Sequence, residues 1–451
     1  MMRSLYSGVA GLKTHQTRMD VIGNNIANVN TTAYKSQSMT FSDLMYQTTQ
    51  AASGANPTTG VGGTNARQIG LGAKTSAIKT AITTQGASQT TNDPFDIMIT
   101  GDSFFIVNNG QNNYFTRDGS FYVDGAGNLA MTSTGYNVMG WKVDPNDASA
   151  IKQDTVSALR VMTTENMTYP PEATKSARIS GIIDKNDTNV NATAGKIMNL
   201  EFYDNQGYKY TAKLSVHSTT KDGSFTVQLD DILDSKGKTV LADKTKASLQ
   251  QNNTNVTAPV LEFDLKNGSF KNVGTAGGTE STLTLHFDTG TFPSFTDITI
   301  DFSKCSNLNN NGSSTVSPIR GDAKGNGAGR KVGEMSGIEI QKDGMIYANY
   351  DNGCSRLLGQ IAVATFANAS GLAKEGDNLY SATQNSGDFD GIGTDITTGG
   401  GYMNTGVLEM SNVDLSSEFT EMITTQRGFQ ANSRIITVSD TLLEELTNLK
   451  R

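Results

Sequence analysis

Cysteine and histidine are both scarce in this sequence, and their scarcity excludes several kinds of site. The 451 residues include two cysteines, Cys305 and Cys354, and three histidines, His15, His217 and His286. The histidines lie far apart without the spacing of metal ligands, so a histidine-based zinc site is not expected. Two cysteines form neither a disulfide framework nor a Cys-x-x-Cys motif. One long-range disulfide is the open alternative, and two free thiols are the favoured prediction.

Long apolar runs are also lacking. No stretch of about 18 apolar residues occurs, so no membrane insertion is predicted. Polar residues such as Lys13, Arg18 and Asp20 interrupt the apolar positions near the N-terminus, which is not the pattern of a cleaved signal peptide. We therefore expect a protein that is either cytoplasmic or exported by a route that reads no cleavable signal.

Charge is low as well. Charged residues make up 18% of the chain, against about 25% in ordinary soluble domains. With 36 basic and 44 acidic side chains the net charge is −8, a sign that repels phosphate backbones and argues against nucleic-acid binding. Asn, Thr, Ser and 47 glycines supply much of the polar and small-residue content instead, a composition typical of short strands and many turns. The length predicts about two to four domains.

Proline is missing from both ends of the chain, which leaves them free to be helical, because none of the eight prolines precedes residue 57 or follows residue 318. Near the N-terminus, apolar residues recur at intervals of three and four and predict a helix over about 4–28. Glycines within it each lower its stability by up to about 1 kcal/mol relative to alanine. The apolar stripe consists of Leu5, Val9, Leu12, Met19, Ile22, Ile26 and Val29.

The C-terminal stripe is longer and predicts a helix from residue 414 to the end, with either Asp414, or Ser411 with Asp414 three residues on, as its N-cap. Such a rod is about 54 Å long, which a small globular domain does not bury. We predict that the two terminal helices form a coiled coil; two ordinary surface helices on one core are the alternative. The stripe consists of Leu415, Phe419, Met422, Ile423, Phe429, Ile435, Ile436, Leu442, Leu443, Leu446 and Leu449.

Between the ends, short apolar runs alternate with Asp-Gly and Asn-Gly turn signals and predict a mainly β fold. Residues 361–366 have the pattern of a buried strand, and the Asn- and Gly-rich stretch 305–329 that of a linker. If the ends pair, everything else is nested between them. The predicted organisation has a terminal helical domain (1–30 and 412–451), a connecting segment (31–71), a discontinuous inner β domain (72–165 and 325–411) and an inserted outer β domain (166–324).

Motifs of catalysis are missing. The sequence contains no Gly-x-Ser-x-Gly, no phosphate-binding loop and no His-Glu-x-x-His. The sole tryptophan, Trp141, fits a core position better than a stacking platform. We therefore expect no enzyme activity, no catalytic residue, no cofactor and no metal.

Five segments resemble the bacterial flagellar axial proteins, a family of rod, hook and hook-associated subunits. ANVNTTAYK at 27–35 is similar to the family signature after the first helix, and GDSFFIV at 101–107 with YFTRDGSFYVDGAGNL at 114–129 resembles its β segment. The tail at 408–451 matches the C-terminal pattern, and residues 357–383 most resemble the hook subunits. Carried over from the signature, the motif residues are Asn28, Asn30, Thr31, Tyr34 and Lys35.

The resemblance implies a structural subunit that polymerises into the flagellar hook, a curved flexible tube acting as a universal joint between motor and filament. It implies that the terminal helices form the inner tube and the polymer interface, and that the β domains face outward. The implied partners are further copies of the chain, the rod, hook-cap and hook–filament junction proteins, and the flagellar type III export apparatus. The implied location is the extracellular flagellum, reached without signal cleavage.

Two other functions remain open at this point. The distal rod protein of the same family shares the terminal motifs but is generally much shorter, so a β insertion of about 150 residues favours the hook. An oligomeric surface adhesin or glycan-binding β protein is the alternative from another class, since Asn- and Thr-rich strands suit it.

Overall fold

The computed structural model describes residues 2–54, 60, 62–241, 246–275 and 277–448. Leu449, predicted to extend the C-terminal stripe, lies outside these residues. The chain divides into two compact units, one formed by Met1–Thr163, Ile338–Ala348 and Arg356–Arg451, the other by Thr164–Gly337 and Asn349–Ser355. The prediction of a mainly β chain with helical termini is confirmed.

The first unit contains both long helices. Helix α1 spans Met2–Ala27 and helix α2 spans Leu415–Asn448. The predicted N-cap is confirmed, because Asp414 Oδ1 accepts the backbone N–H of Ser416 at 2.9 Å, and its charge also suits the positive end of the helix dipole. The described helices include none that is long and apolar enough to cross a membrane.

The strands of the first unit are short and mostly antiparallel. The central ones pair in the order β11–β7–β8–β31–β30, while β1 pairs with β4, β2 with β3, β6 with β32 and β5 with β33. They are β1 (Gln37–Asp43), β2 (Tyr46–Gln50), β3 (Arg67–Gly70), β4 (Ala73–Thr80), β5 (Ser88–Thr90), β6 (Ile97–Thr100), β7 (Phe104–Asn108), β8 (Asn113–Thr116), β9 (Phe121–Val123), β10 (Leu129–Met131), β11 (Asn137–Asp144), β12 (Asp147–Ile151), β13 (Ser157–Ala158), β29 (Val363–Ala364), β30 (Ala373–Gly376), β31 (Leu379–Ser381), β32 (Tyr402–Thr405) and β33 (Val407–Glu409).

The second unit is built from two sheets that share one apolar core. A six-stranded sheet has the order β20–β19–β23–β24–β15–β25, and a five-stranded sheet the order β16–β17–β18–β21–β22. The strands of these two sheets are β15 (Ser176–Ile183), β16 (Lys196–Tyr203), β17 (Lys209–Ser218), β18 (Ser224–Asp234), β19 (Ala247–Gln251), β20 (Thr254–Asn255), β21 (Val260–Phe263), β22 (Phe270–Gly274), β23 (Thr282–Phe287), β24 (Ile298–Asn307) and β25 (Ser317–Arg320). A short strand before them, β14 (Thr168–Tyr169), belongs to neither sheet.

Alternation of apolar and polar residues explains the packing of these sheets. In β16, Met198, Leu200 and Phe202 are buried, while Asn199 and Glu201 between them are exposed, as the two-residue period of a strand requires. The buried side chains of both sheets belong to one cluster. The two sheets therefore form a sandwich with a single core.

Three further strands lie where the chain passes from one unit to the other: β26 (Gly333–Ile340), β27 (Met345–Tyr350) and β28 (Ser355–Ile361). Two short 3₁₀ helices, Ala369–Gly371 and Ile396–Gly399, belong to the first unit. The predicted buried strand 361–366 is therefore shifted, since β28 ends at Ile361 and only Val363–Ala364 follows as a strand. Trp141 is 2% exposed, so its predicted core position is confirmed.

The prediction that 305–329 is a linker was wrong for much of that stretch. Strand β24 extends to Asn307, and β25 pairs with β15 with Ile319 opposite Arg178. The segment between these strands is polar, and a side chain from another part of the chain orders its backbone. Asp184 Oδ2 accepts the N–H groups of Asn310 at 2.7 Å and Gly312 at 2.8 Å. A sequence rich in Asn and Gly can thus be ordered by such bonds.

Both cysteines are free and buried, in agreement with the favoured prediction. Burial raises the pKa of the Cys305 thiol to about 12, and the nearby Asp301 carboxylate adds to the rise. The thiol is therefore protonated and poorly reactive at neutral pH.

Candidate functional site

Helices α1 and α2 pack against each other in antiparallel directions. The facing positions are Gly8 with Ile436, Gly11 with Asn432, and His15 with Gly428. A Cβ atom on Gly11 would lie 2.6 Å from the side-chain nitrogen of Asn432, so alanine there would require the Asn432 side chain to move. The glycines that weaken α1 as an isolated helix thus favour its pairing with α2.

The structure divides the residues predicted to form a polymer interface into three groups. Ile22 is fully buried. A second group is half-buried, consisting of Leu5, Leu12, Met19, Ile26, Met422, Phe429, Ile436 and Leu443. A third group is exposed, consisting of Val9, Leu415, Phe419 and Leu446.

An exposed apolar stripe therefore remains on α2 after the helices have paired. Phe419 is 50% exposed and Ile423 53%; beyond the exposed polar residues Arg427, Gln430 and Arg434, exposed apolar side chains recur at Val438, Leu442 and Leu446. Exposed Leu and Ile side chains are ordinary singly, but groups of them along one element mark a surface suited to contact with another molecule. This interrupted stripe is one part of the helix pair that remains exposed.

The imidazole of His15 lies in the notch that Gly428 leaves on α2. Its Cε1 atom is 2.7 Å from where a Cβ on Gly428 would lie, and its ring packs edge-on against Phe41 with centroids 5.6 Å apart. Its Nδ1 atom is buried, and no described residue forms a hydrogen bond with it. Burial, followed by the neighbouring Arg18 cation, lowers the pKa of His15, so the neutral ring is the form that fits the notch.

We expect the pairing of α1 and α2 to weaken as the pH falls below the ordinary histidine pKa of 6.5. The unfolded helix then binds a proton that the packed ring does not, so stability is constant above this pH and declines below it. Hydrogen–deuterium exchange of the α1 amides, corrected for intrinsic rates, should show faster opening at pH 5.5 than at 7.5. In His15→Gln the two corrected rates should agree; an equal pH effect in that variant would contradict the assignment.

Asn25 connects the end of α1 to two other elements. Its Nδ2 donates to Glu418 Oε1 on α2 at 2.9 Å and to the backbone carbonyl of Gln37 at 2.8 Å. Its Oδ1 accepts the N–H of Gln37 at 2.9 Å and the hydroxyl of Tyr34 at 3.2 Å. All four hydrogen-bonding positions of a fully buried amide are thereby satisfied.

The family-motif residues 28–35 form the turn between α1 and β1. Thr31 Oγ1 donates to Asn28 Oδ1 at 3.1 Å, and Asn30 is exposed to solvent. The Tyr34 ring packs under the ammonium of Lys374 at 5.0 Å. These contacts fix the direction in which the chain leaves the helix.

Lys35, the last motif residue, forms a buried ion pair with Glu409 at the end of β33. The Nζ–Oε1 distance is 2.7 Å, and the side chains are 0% and 1% exposed. Lys35 Nζ also donates to the carbonyl of Thr84 at 2.8 Å, and Glu409 Oε1 accepts the N–H of Gly86 at 2.9 Å. One pair thus joins three segments that are distant in sequence.

A second cation lies beside this pair. Arg117 Nη1 is 4.0 Å from Glu409 Oε2, and its guanidinium stacks over the Phe104 ring at 5.0 Å. None of its nitrogens makes a hydrogen bond within the described residues. Burial lowers the pKa of both Lys35 and Arg117, and the Glu409 carboxylate opposes that shift in each case. Glu409 therefore balances two buried cations at once.

Sequence analysis missed Asn25, Arg117, Glu409 and Asn412. Asn412 Oδ1 accepts the N–H of Ser36 at 2.7 Å, and its Nδ2 donates to the carbonyls of Ala81 and Thr84, both at 3.0 Å. Glu409 and Asn412 lie in the tail that resembles the axial proteins, so the motif contained them without revealing their partners. In the described ranges no cluster of three metal-ligating side chains occurs.

Comparison with known families gives three matches along the chain. Residues 5–35 match the flagella basal body rod protein model, residues 98–180 the flagellar hook protein FlgE/F/G D1 domain, and residues 404–449 the flagellar basal body rod FlgEFG protein C-terminal model. They contain the turn after α1, the central strands with Arg117, and the Glu409 segment with α2, respectively.

Full-length relatives agree with these matches. The flagellar hook protein FlgE of Borreliella burgdorferi is 37% identical and that of Treponema pallidum 35% identical, each over 100% of both chains. The flagellar basal-body rod protein FlgG of Bacillus subtilis is 30% identical, again over 100% of both chains. The two hook proteins are more similar to this chain than the rod protein is, so the rod alternative is not favoured. The chain belongs to the flagellar hook protein FlgE family and is a structural subunit of the flagellar hook.

Proposed function

We propose that the chain polymerises into a curved, flexible tube that transmits torque from the flagellar motor to the filament as a universal joint. The observation that carries this proposal is the apolar stripe left exposed on α2, because a neighbouring copy can bury it. The role is structural rather than enzymatic. α1 and α2, paired as a coiled coil at the base of the subunit, act as the inner layer and supply the polymer interface.

The proposal includes the domain organisation and the partners. The terminal helices, the connecting segment, the inner β domain and the inserted β domain are the four parts of the subunit, at the boundaries inferred from sequence. Rod, hook-cap and hook–filament junction proteins contact the two ends of the tube. The subunit reaches the extracellular flagellum through the type III export apparatus without cleavage of a signal.

Negative-stain electron microscopy of the concentrated, purified chain tests the proposal. We expect curved tubes of uniform diameter. Dispersed particles at every concentration would favour the adhesin-like alternative, in which the helices only join a few copies. Restoration of motility in a bacterium lacking its own hook subunit would test the torque-transmitting role separately.

Removal of the inserted β domain should alter the shape of the tube and leave assembly intact. Glu172 and Arg330 exchange backbone hydrogen bonds at 3.1 and 2.7 Å, so a short Gly/Ser turn can join them in place of 173–329. The excised segment contains the whole core of the sandwich, which shares no residue with the cores of the first unit. The remaining chain should therefore still fold.

We expect the shortened chain to form straighter tubes, because contacts between outer domains on the inside of a bend are lost. Electron microscopy of both chains under one condition gives the comparison. Absence of tubes would show that the inserted domain supplies essential assembly energy, and unchanged curvature would place the origin of bending in the inner layers.

A further inference from the structure

A groove with apolar walls runs along α1 on a face that does not contact α2. It encloses about 450 Å³, and its α1 side is formed by Tyr6, Val9 and Ala10. Its other side is formed by Leu44, Met45 and Leu71, the residues beside the β2–β3 hairpin. Met45 is 75% exposed and Tyr6 63%, so the groove is open to a partner.

The rim of the groove is basic. Arg3 and Lys13 lie at its two ends, and no acidic residue lines it. In the part of the chain that the structure describes, neither cation forms an ion pair with an acid of its own chain. A suitable occupant is therefore a short amphipathic segment with apolar and acidic side chains.

The last turns of α2 have this chemistry and extend beyond α1. Because Gly8 faces Ile436 and Gly11 faces Asn432 in antiparallel packing, the start of α1 at Met2 corresponds to about residue 442. Residues 442–448, here called the overhang, begin opposite the first residue of α1; at 1.5 Å per residue they extend roughly 9 Å past its start. The apolar side chains here are Leu442, Leu443 and Leu446, and the acids are Glu444 and Glu445, of which Glu445 lies nearer the face of Leu442 and Leu446.

The chain cannot place its own overhang in its own groove. The groove extends along α1 from Arg3 to Lys13, while the overhang points away from the start of that helix. Reaching back would require α2 to unwind. The occupant must come from another molecule.

We infer that the overhang of a second copy of this chain binds in the α1 groove, with Leu442 and Leu446 against Tyr6 and Met45 and with Glu445 near the basic rim formed by Arg3 and Lys13. The two surfaces are different, so the contact is head-to-tail and adds subunits without closing a ring. This inference rests on the proposed self-assembly and names the surfaces that carry part of it.

Disulfide trapping tests the contact in the assembled full chain. Met45→Cys and Glu445→Cys are combined in one chain, whose native cysteines are buried. Mild oxidation of the tubes should give a ladder of covalent multimers on a non-reducing gel, since each copy bonds to two neighbours. Met45→Cys with Gln430→Cys is the matched control, because Gln430 is exposed on α2 outside the overhang, and it should give no ladder.

Charge exchange provides a second test. Arg3→Glu with Lys13→Glu should raise the protein concentration needed for assembly by about tenfold, and adding Glu445→Lys should lower it again. Tubes that form without the cysteine ladder would overturn this contact and leave the proposed function standing. Failure of the unmodified chain to form tubes would instead contradict the proposed function. Assembly unaffected by the charge reversal would also count against the contact.

Discussion

Glu409→Gln is expected to destabilise the first unit by about 3–5 kcal/mol, because it removes the carboxylate that pairs with two buried cations. The substitution preserves the shape of the side chain and its hydrogen-bonding capacity toward Gly86. The loss of stability therefore measures the effect of removing the charge, not of changing the side-chain volume. Lys35 and Arg117 can neither reach water nor find another carboxylate at the distances of Glu409. Few single substitutions that preserve the size of the side chain should lower the free energy of unfolding this much.

The sole tryptophan makes this measurement specific to one unit. Trp141 lies in the first unit and is 2% exposed, so its fluorescence in a urea titration follows the unfolding of that unit alone. Glu421→Gln is the matched control, because it breaks the partly exposed Arg18–Glu421 pair at 2.9 Å. The control should change stability by no more than about 1 kcal/mol.

A further substitution separates the charge effect from other causes. Adding Lys35→Met to Glu409→Gln removes one of the two uncompensated cations and should recover part of the loss, giving a coupling energy between the sites. Losses that simply add, or a Glu409→Gln effect no larger than that of Glu421→Gln, would show that the ion pair does not hold these segments together.

Periodicity in the sequence was sufficient to predict the local elements of this fold. The three- and four-residue spacing of Leu5 to Ile26 predicted a helix over about 4–28, and α1 spans Met2–Ala27. The capping of α2 by Asp414 followed from residue type alone. Such features depend on neighbours within a few positions, which a sequence displays directly.

Contacts between distant segments could not be predicted in this way. Lys35 and Glu409 are 374 positions apart, and nothing in their spacing indicates that they meet. Gly428 falls within the C-terminal stripe, and nothing in the sequence around it indicates a partner. The structure gives it a role, because its missing side chain makes room for His15. The linker prediction for 305–329 was wrong for the same reason, because the sequence does not show which distant residues meet. There Asp184 orders a segment whose composition is that of a loop.

The second large effect concerns assembly, and it depends on which side of α2 is changed. Ile423 lies on the exposed stripe, whereas Ile436 lies against Gly8 in the helix pair. Ile423→Asp should leave folding and helix pairing unchanged, since the carboxylate is solvated in the free subunit. In a tube each copy would bury that charge in an apolar contact, at a cost of several kcal/mol per subunit.

We therefore expect Ile423→Asp to abolish tubes while circular dichroism, Trp141 fluorescence and α1 exchange rates match those of the unmodified chain. Ile436→Asp should also abolish tubes, but with faster exchange along α1, because it places the charge between the paired helices. Thr424→Asp adds the same charge at an exposed polar position next to Ile423 and should assemble at nearly the original concentration. Normal tubes from Ile423→Asp would mean that copies do not meet on this stripe. Loss of tubes in Thr424→Asp as well would attribute the effect to added charge on α2 rather than to burial of the stripe.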